Sequence, residues 1–548
     1  RWLLYGLVIF GVAGVFVTHR TIFGRDPGVT MLVLFLALKL LETRTQRDAV
    51  IVTFLCYFLA LTSFFYTQTI AIAGLMLVTV LVLTTALIGF NAPGRPLHGQ
   101  FRTAGVLLAQ GLPVMLLLFL FFPRVAGPLW GMPSDAYSGM TGLSDSMTPG
   151  AISSLSRSDA IAFRVQFDEA PPQKSALYWR GPVFWQFDGH RWDQGSRTLA
   201  RQADFVPEGP PLTYIVTVEP HNRRWLFALD LPGRVPPNAE VTEDFQLNSR
   251  VPVRTRIRYS MSSFLTYRAV SAGSAQDLKT ALQLPAGFNP KATALARQWA
   301  SGSADRAEIL RRAIDFFRRA GLGYTLAPPP LGRDSVDDFL FGTKRGFCEH
   351  FASAFAFMMR AAGVPTRVVT GYQGGETNPV DGYVVVRQAD AHAWTEVWLG
   401  ERGWVRVDPT AAAVPLRIES GLAAAVPAGE SLPFLVRADL NWLRALRFNW
   451  EALANYWNQW VLGYNPDRQR GLFNRLGMPE ANWQAMAQVL FWTVGAVIAA
   501  FSFWLLRRAT PGDAAQAAWL KFCAKLARRG TRRNEDEGPQ AFGARAVR

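Results

Sequence analysis

Gly346-Phe347-Cys348-Glu349-His350-Phe351 opens an apolar run, 351–362, that Gly363 and Pro365 close. The run predicts a helix with Cys348 at its start, where free backbone N–H groups and the positive end of the helix dipole favour a thiolate. Of the three cysteines, Cys56 sits in an apolar run and Cys523 in a basic tail, so no disulfide framework is legible and Cys348 has no evident bonding partner. Downstream come Ala391-His392-Ala393-Trp394 and Trp404-Val405-Arg406-Val407-Asp408-Pro409-Thr410. Cys, His and Asp in that order form a constellation for thiol acyl transfer, in which the imidazole takes the thiol proton and the carboxylate fixes its tautomer.

The spacing also constrains the strands that carry the pair. If His392 heads one strand and Asp408 ends the next, they meet only when both face the same side of the sheet. A four-residue connection, 400–403, pairs Thr395 with Asp408 and turns His392 away. A five-residue connection, 399–403, pairs Trp394 with Asp408 and leaves His392 as its diagonal neighbour, so that register, or a bulge, is expected. Trp394, on the same face, is a candidate shield for the ion pair, while Glu396 and Trp398 read as structural. His350 projects roughly 200° around the helix from Cys348, which suits packing or hydrogen bonding better than catalysis. The Cys348 N–H is one candidate oxyanion donor, and Tyr324 is the candidate second. Two other readings stay open at this point: an inert helix-start cysteine, and a zinc site from Cys348, His350, His392 and Asp408, although the paired short-spacing motif of structural zinc is absent. No cofactor or metal is expected.

The chain has 548 residues, is 50% hydrophobic and carries a formal charge of +16. Its arginines form no stripe interleaved with aromatics, which argues against nucleic acid as a partner. Apolar runs at 2–17, 29–41, 50–66, 70–90 and 106–122 read as five membrane helices, Lys39 being near enough to the end of its run to snorkel. Arg44 and Arg47, then Arg95 and Arg102, mark two loops as cytoplasmic; Arg20 and Arg25 run mildly against this, partly offset by Asp26. A sixth run, 489–506, is followed by Arg507, Arg508 and a basic tail, which the same rule puts in the cytoplasm. The residues between, about 123–487, are then extracytoplasmic. The sequence begins at Arg1 within an apolar stretch, so further N-terminal sequence is expected.

Within that part, strand-like segments at 160–167, 212–219 and 251–261 suggest a β-sandwich-like module. Its aromatic clusters, Tyr178-Trp179-Arg180-Gly181 and Phe184-Trp185-Gln186-Phe187, read as core or interface, with some members as candidates to line a substrate groove. A helix over 305–320, the Cys348 helix and strands at 367–372, 383–387, 393–399 and 404–407 then suggest a helix on an antiparallel sheet. Residues 411–433 read as a linker. After it Leu443, Leu446, Trp450, Leu453, Trp457 and Trp460 form an apolar stripe, which either lies along the membrane surface or packs back on the preceding domain.

Tyr324-Thr325-Leu326, Gly346-Phe347-Cys348-Glu349-His350-Phe351-Ala352, Arg367-Val368-Val369-Thr370-Gly371-Tyr372, Ala391-His392-Ala393-Trp394-Thr395-Glu396 and Val407-Asp408-Pro409-Thr410 together resemble the transglutaminase-like superfamily core, and the whole arrangement resembles its bacterial multi-pass membrane branch. The resemblance implies a multi-domain membrane protein. Its parts are an N-terminal membrane domain (1–122), an extracytoplasmic β-rich module (123–290), an α+β papain-like core (291–415), a linker with a Trp-rich juxtamembrane helix (416–487), a C-terminal transmembrane helix (488–506) and a basic cytoplasmic tail (507–548). It implies Cys348 as nucleophile, His392 as base and Asp408 as orienting carboxylate of an inner-membrane protein-glutamine γ-glutamyltransferase. The partners would be the lipid bilayer, a protein or peptide glutamine donor and an amine acceptor. Animal relatives depend on calcium, but no calcium-loop pattern is present, so that is not carried over. A protease or amidase using the same triad and a non-catalytic envelope scaffold remain as alternatives.

Overall fold

The computed structural model describes residues 2–123, 142–150, 155–195, 205–269, 275–303, 305–427, 441–464, 466–478, 483–508, 514–534 and 537–547. It divides into two compact units, one from residues 1–133 with 459–548 and the other from 134–458.

The first unit is helical. Its N-terminal part comprises α1 (Trp2–His19), α2 (Arg25–Glu42), α3 (Gln46–Thr62), α4 (Ile70–Asn91) and α5 (Leu97–Phe121). Thr45 and Asp48 cap α3 reciprocally, and Lys39 joins the cap by pairing with Asp48 at 2.9 Å. Among the described residues, Gln46–Phe65, Ile70–Asn91, Leu97–Phe121 and Trp483–Trp504 are long and apolar enough to cross a membrane, and Gly6–His19 is a shorter apolar helix. α2 has charges at both ends, Arg25 and Asp26 at one and Lys39 and Glu42 at the other. The last carbonyls of α5 are orphaned by helix geometry. They are met from the C-terminal part of the chain, where the Tyr464 hydroxyl donates to Leu120 O at 2.9 Å and the Gln469 amide to Leu120 O and Phe122 O.

The second unit is built on two antiparallel sheets. The strands of these two sheets are β1 (Ile161–Phe167), β2 (Tyr178–Phe184), β3 (Leu212–Val218), β4 (Ala228–Leu229), β5 (Leu231–Arg234), β6 (Ile257–Phe264), β7 (Thr366–Gln373), β8 (Glu376–Thr377), β9 (Val384–Arg387), β10 (Ala391–Trp398) and β11 (Trp404–Val407), and shorter strands pair apart from them. One sheet has the order β11-β10-β7-β2-β4 and the other β8-β9-β1-β3-β6-β5. Phe163 of β1 meets Trp179 of β2 and Tyr372 of β7 edge-on at 5.3 and 5.4 Å, and Trp179 meets Tyr214 at 5.8 Å, so aromatic side chains fill the space between the sheets.

Each sheet therefore draws strands from both sides of residue 290. The expected boundary there does not separate two compact bodies, because β2 pairs with β7 and β1 with β9. The expected strand at 251–261 begins only at Ile257; Pro252 cannot donate to a ladder.

Helices complete this unit: α6 (Pro290–Ser301), α7 (Arg306–Arg319), α8 (Cys348–Ala361), α9 (Pro409–Ala413), α10 (Pro415–Glu419), α11 (Leu422–Ala425) and α12 (Asn441–Tyr456). α7 forms where its amphipathic spacing predicted and starts on an Asp305 side-chain cap. The stretch read as a linker is otherwise: its described part, to residue 427, forms α9, α10 and α11 and buries Arg417, Ile418 and Leu422. Small alanines hid this, since Ala-rich sequence lacks periodic contrast yet packs well in helices. α12 docks by its polar side: Arg447 pairs with Glu376 at 2.5 Å, Arg387 pairs with Glu451, and Asn455 donates to Asp381 at 2.8 Å. Its apolar side leaves Trp442, Leu446, Trp450 and Leu453 exposed.

Candidate active site

The Cys348 helix forms where the sequence placed it. The His350 ring turns back to the Phe347 N–H at 3.4 Å and caps the first turn, packed between Phe339 and Phe347. At the other end Gly363 adopts φ 81°, and Arg360 donates to three backbone carbonyls, of Thr366, Gln283 and Trp185. The helix packs on β10, whose Ala391 and Ala393 are buried in the same apolar core as the helix. Pairing of β10 with β11 covers only Thr395–Trp398, and beyond it the Ala393 N–H donates to the Cys348 sulfur.

The β10–β11 register is the odd one expected: Trp398 faces Trp404 across the connection from Leu399 to Gly403, and Thr395 faces Val407. Asp408, the next residue, then reaches His392 on the same face, with His392 Nε2 2.8 Å from Asp408 Oδ2. A carboxylate only accepts, so Nε2 carries the hydrogen and Nδ1 is the basic nitrogen. Nδ1 is buried without a hydrogen-bond partner among the described residues, the thiol included. Asp408 also caps α9, its Oδ1 accepting from the Thr410 N–H at 2.8 Å and the Ala411 N–H at 3.3 Å.

Electrostatics define the resting protonation. Burial, and then the neighbouring Glu349 carboxylate, push the Cys348 thiol up to about 12. The thiolate expected from the helix N-terminus is thus disfavoured, because desolvation outweighs the dipole here. Burial lowers the His392 pKa against the pull of Asp408. Burial also opposes the Asp408 charge, but His392 and Tyr178 hold its carboxyl below the usual range. The resting set is thiol, neutral imidazole and carboxylate. Glu349 is fully buried, and its Oε2 accepts from the Gly150 N–H at 2.9 Å.

Trp394 lies beside the pair, its ring stacked near that of His392 at 6.4 Å between centroids and edge-on to Tyr178 at 5.4 Å. Tyr324 is buried next to Cys348, its hydroxyl close to the thiol and to the Arg417 guanidinium but outside hydrogen-bond geometry with both. Sequence reasoning missed two neighbours. Tyr178, in an aromatic cluster read mainly as core, donates its hydroxyl to Asp408 Oδ2 at 2.8 Å, with the Arg406 guanidinium 4.1 Å over its ring. Its neighbour Trp179 points the other way, and that alternation was the available signal. Arg417 gave no signal, lying in the supposed linker. Among the described residues no group of three or more His, Cys, Asp and Glu side chains is placed to hold a metal ion, and His350 is turned to its own helix cap.

Two family models match the chain, the TgpA N-terminal domain over residues 1–269 and the transglutaminase-like superfamily over residues 293–409. A protein-glutamine gamma-glutamyltransferase of Pseudomonas aeruginosa is 39% identical over 100% of this chain and 83% of its own length. The chain belongs to the TgpA family of transglutaminase-like proteins. The chain resembles the crystal structure of the periplasmic domain of TgpA from Pseudomonas aeruginosa, with 44% identity, a TM-score of 0.51, and coverage of 52% of this chain and 99% of that one. A shorter match, 43% identical over 86 residues, links 15% of the chain to 12% of the uncharacterized protein YebA of Bacillus subtilis. The superfamily match ends at Pro409, so α10 and its Arg417 lie beyond the family core.

Proposed function

We propose that the protein is a membrane-anchored protein-glutamine γ-glutamyltransferase in which Cys348 is the nucleophile, His392 the base and Asp408 the orienting carboxylate. One observation carries the reading: His392 is bonded through Nε2 to Asp408 at 2.8 Å, leaving a basic Nδ1 unused, while the N–H of the next residue, Ala393, donates to the sulfur of the helix-start Cys348. The activity named for the full-length relative supports the same chemistry.

The cycle is ping-pong. The Cys348 thiol gives its proton to His392 Nδ1, and the sulfur attacks a glutamine carboxamide carbon to form an oxyanion. The Cys348 N–H, unused by its helix, and Tyr324 are the donors assigned to that oxygen. Collapse expels ammonia, which takes the proton back from the imidazole, and leaves a thioester. A primary amine then attacks the thioester carbon and passes its proton to His392; the S–C bond breaks and the thiol reforms. The acceptor decides the product, since water in the second step makes the same triad an amidase or peptidase.

The charge pattern assigns residues 123–487 to the extracytoplasmic side of the inner membrane and the basic tail to the cytoplasm, which agrees with the periplasmic domain named for the relative. The exposed tryptophans of α12 suit the membrane–water interface. The proposed substrates are envelope proteins or peptides. The test uses full-length protein in detergent with a glutamine donor peptide and a fluorescent amine. Amine incorporation that disappears in Cys348→Ala supports transfer; ammonia release without incorporation replaces it with hydrolysis; neither product, from folded protein, removes the catalytic reading.

A further inference from the structure

Arg417 is 1% exposed, yet its guanidinium has a single bonded partner among the described residues, Gln373 Oε1 at 3.2 Å from Nη1. Nε and Nη2 are buried and unpartnered. Unpaired guanidinium donors in a dry interior are rare, because each forfeits hydration and gets nothing back. Gln373 fixes where the group sits. It ends β7, next to Tyr372, which pairs with Ala391 beside His392, and it is itself paired with Tyr178, the donor to Asp408. Ile418, the next residue along α10, packs in the cluster that contains Tyr178 and Trp394. Arg417 is thus anchored at the strand ends that carry His392, facing the Tyr324 hydroxyl and the Cys348 thiol, with the Asp390 carboxylate, which follows β9, also acting on it.

The charges around the sulfur explain why a cation would be kept there. Glu349 on its own helix and Asp408 after β11 both work against a thiolate, and on the other side stand the Ala393 N–H from β10 and Arg417 from α10. His392 from β10 and Tyr324, from the short strand Gly323–Tyr324, complete the surroundings. Without the guanidinium, proton transfer to His392 would leave a sulfur anion among carboxylates in a low-dielectric site. We propose that Arg417 is a positioning residue whose two unpartnered donors, acting through the Tyr324 hydroxyl, hold the negative charge that forms when Cys348 passes its proton to His392. In that step the S–H bond breaks, its electron pair stays on sulfur, and Nδ1 takes the proton. The Tyr324 O–H then donates to the sulfur while its oxygen accepts from Arg417.

The inference rests on Cys348 being the nucleophile, so its test uses no glutamine donor. Full-length protein in detergent is treated with iodoacetamide across a pH series, and alkylation of the Cys348 peptide is followed by mass spectrometry. Arg417→Gln is expected to move the Cys348 profile up by about one pH unit, about tenfold slower alkylation at a fixed pH. Arg417→Lys should restore most of the rate, and Tyr324→Phe should shift the profile the same way by less. A folded Arg417→Gln protein with the wild-type profile overturns the proposal, as does Arg417→Lys being equally slow. Should Arg417→Gln fail to fold, a folded Tyr324→Phe protein with an unshifted profile overturns it instead. Wild-type Cys348 that resists alkylation at every pH overturns both this role and the triad.

Discussion

Asp408 uses both carboxylate oxygens at once: Oδ1 caps α9, while Oδ2 takes the His392 ring and the Tyr178 hydroxyl. Replacing it with Asn keeps the shape and an N-cap acceptor but removes the charge that holds the imidazole tautomer. Asp408→Asn should therefore lower kcat for amine incorporation about 100-fold or more while leaving the thermal midpoint within a few degrees. A kcat within a factor of two of wild type would remove Asp408 from the mechanism. Tyr178→Phe takes away one of four bonds and leaves the charge, so a loss of about three- to tenfold is expected in the same assay. The pH profile follows from the imidazole. Its pKa lies below 6.5 because of burial, and the neutral form is the base, so kcat/KM should hold at pH 6.5 and decline only as pH falls through the lowered value. An acidic limb centred above pH 6.5 contradicts that assignment. Among these residues Cys348, His392 and Asp408 were legible because each sits in a short motif with its own local signal. Tyr178 and Arg417 were not, because their relation to the site is made by strand pairing and by a helix with no periodic contrast.

Near His392, on the same face of β10, the elements are locked by a buried ion cluster. Glu396 of β10 pairs with Arg367 of β7 at 2.6 Å and with Arg180 of β2, so one carboxylate ties three neighbouring strands. Burial opposes its charge, but the two arginines draw the Glu396 carboxyl down to about 2 from the 4.5 of a free glutamate. A depressed carboxylate stabilises the fold fully above the unfolded value and loses that contribution as pH falls through the folded one. Denaturant unfolding followed from pH 5 to pH 2 should show a decline of which this cluster is one part. Removing a single partner, as in Glu396→Gln, should cost about 3–5 kcal/mol at neutral pH by leaving two buried arginines uncompensated. At Gly371, opposite His392, any side chain is excluded: a Cβ there would lie 2.0 Å from the Trp179 carbonyl oxygen and 2.9 Å from the Trp394 ring. Gly371→Ala must spread β2 from β7 beside His392, so stability and activity should fall together. A Gly371→Ala protein with wild-type melting and turnover would show that the close approach is not needed.

Across residues 142–427 the sheets are shared, and this sets how the molecule folds. β7 lies between β10, which follows it in the chain, and β2, which precedes it by some two hundred residues. A fragment beginning at residue 291 lacks β2 and leaves β7 as an unpaired edge above an opened aromatic core. It should give no cooperative thermal transition by circular dichroism, whereas residues 142–458 should melt as one unit; a cooperatively folding fragment would restore the boundary near residue 290. What the sequence determined by itself is what local chemistry carries: the apolar helices, the helix that presents Cys348, the strand pair whose five-residue connection brings His392 to Asp408, and the family. These depend on residues near one another in the chain, where period, caps and turn length act directly. Only the tertiary structure decided that the β-rich segment and the core are one body, that the supposed linker is a buried part of it, and that Tyr178 meets Asp408 while Arg417 faces Cys348. Those facts come from pairing across long stretches of chain and from desolvation, which gathers distant groups around a charge and leaves no periodic trace along the sequence.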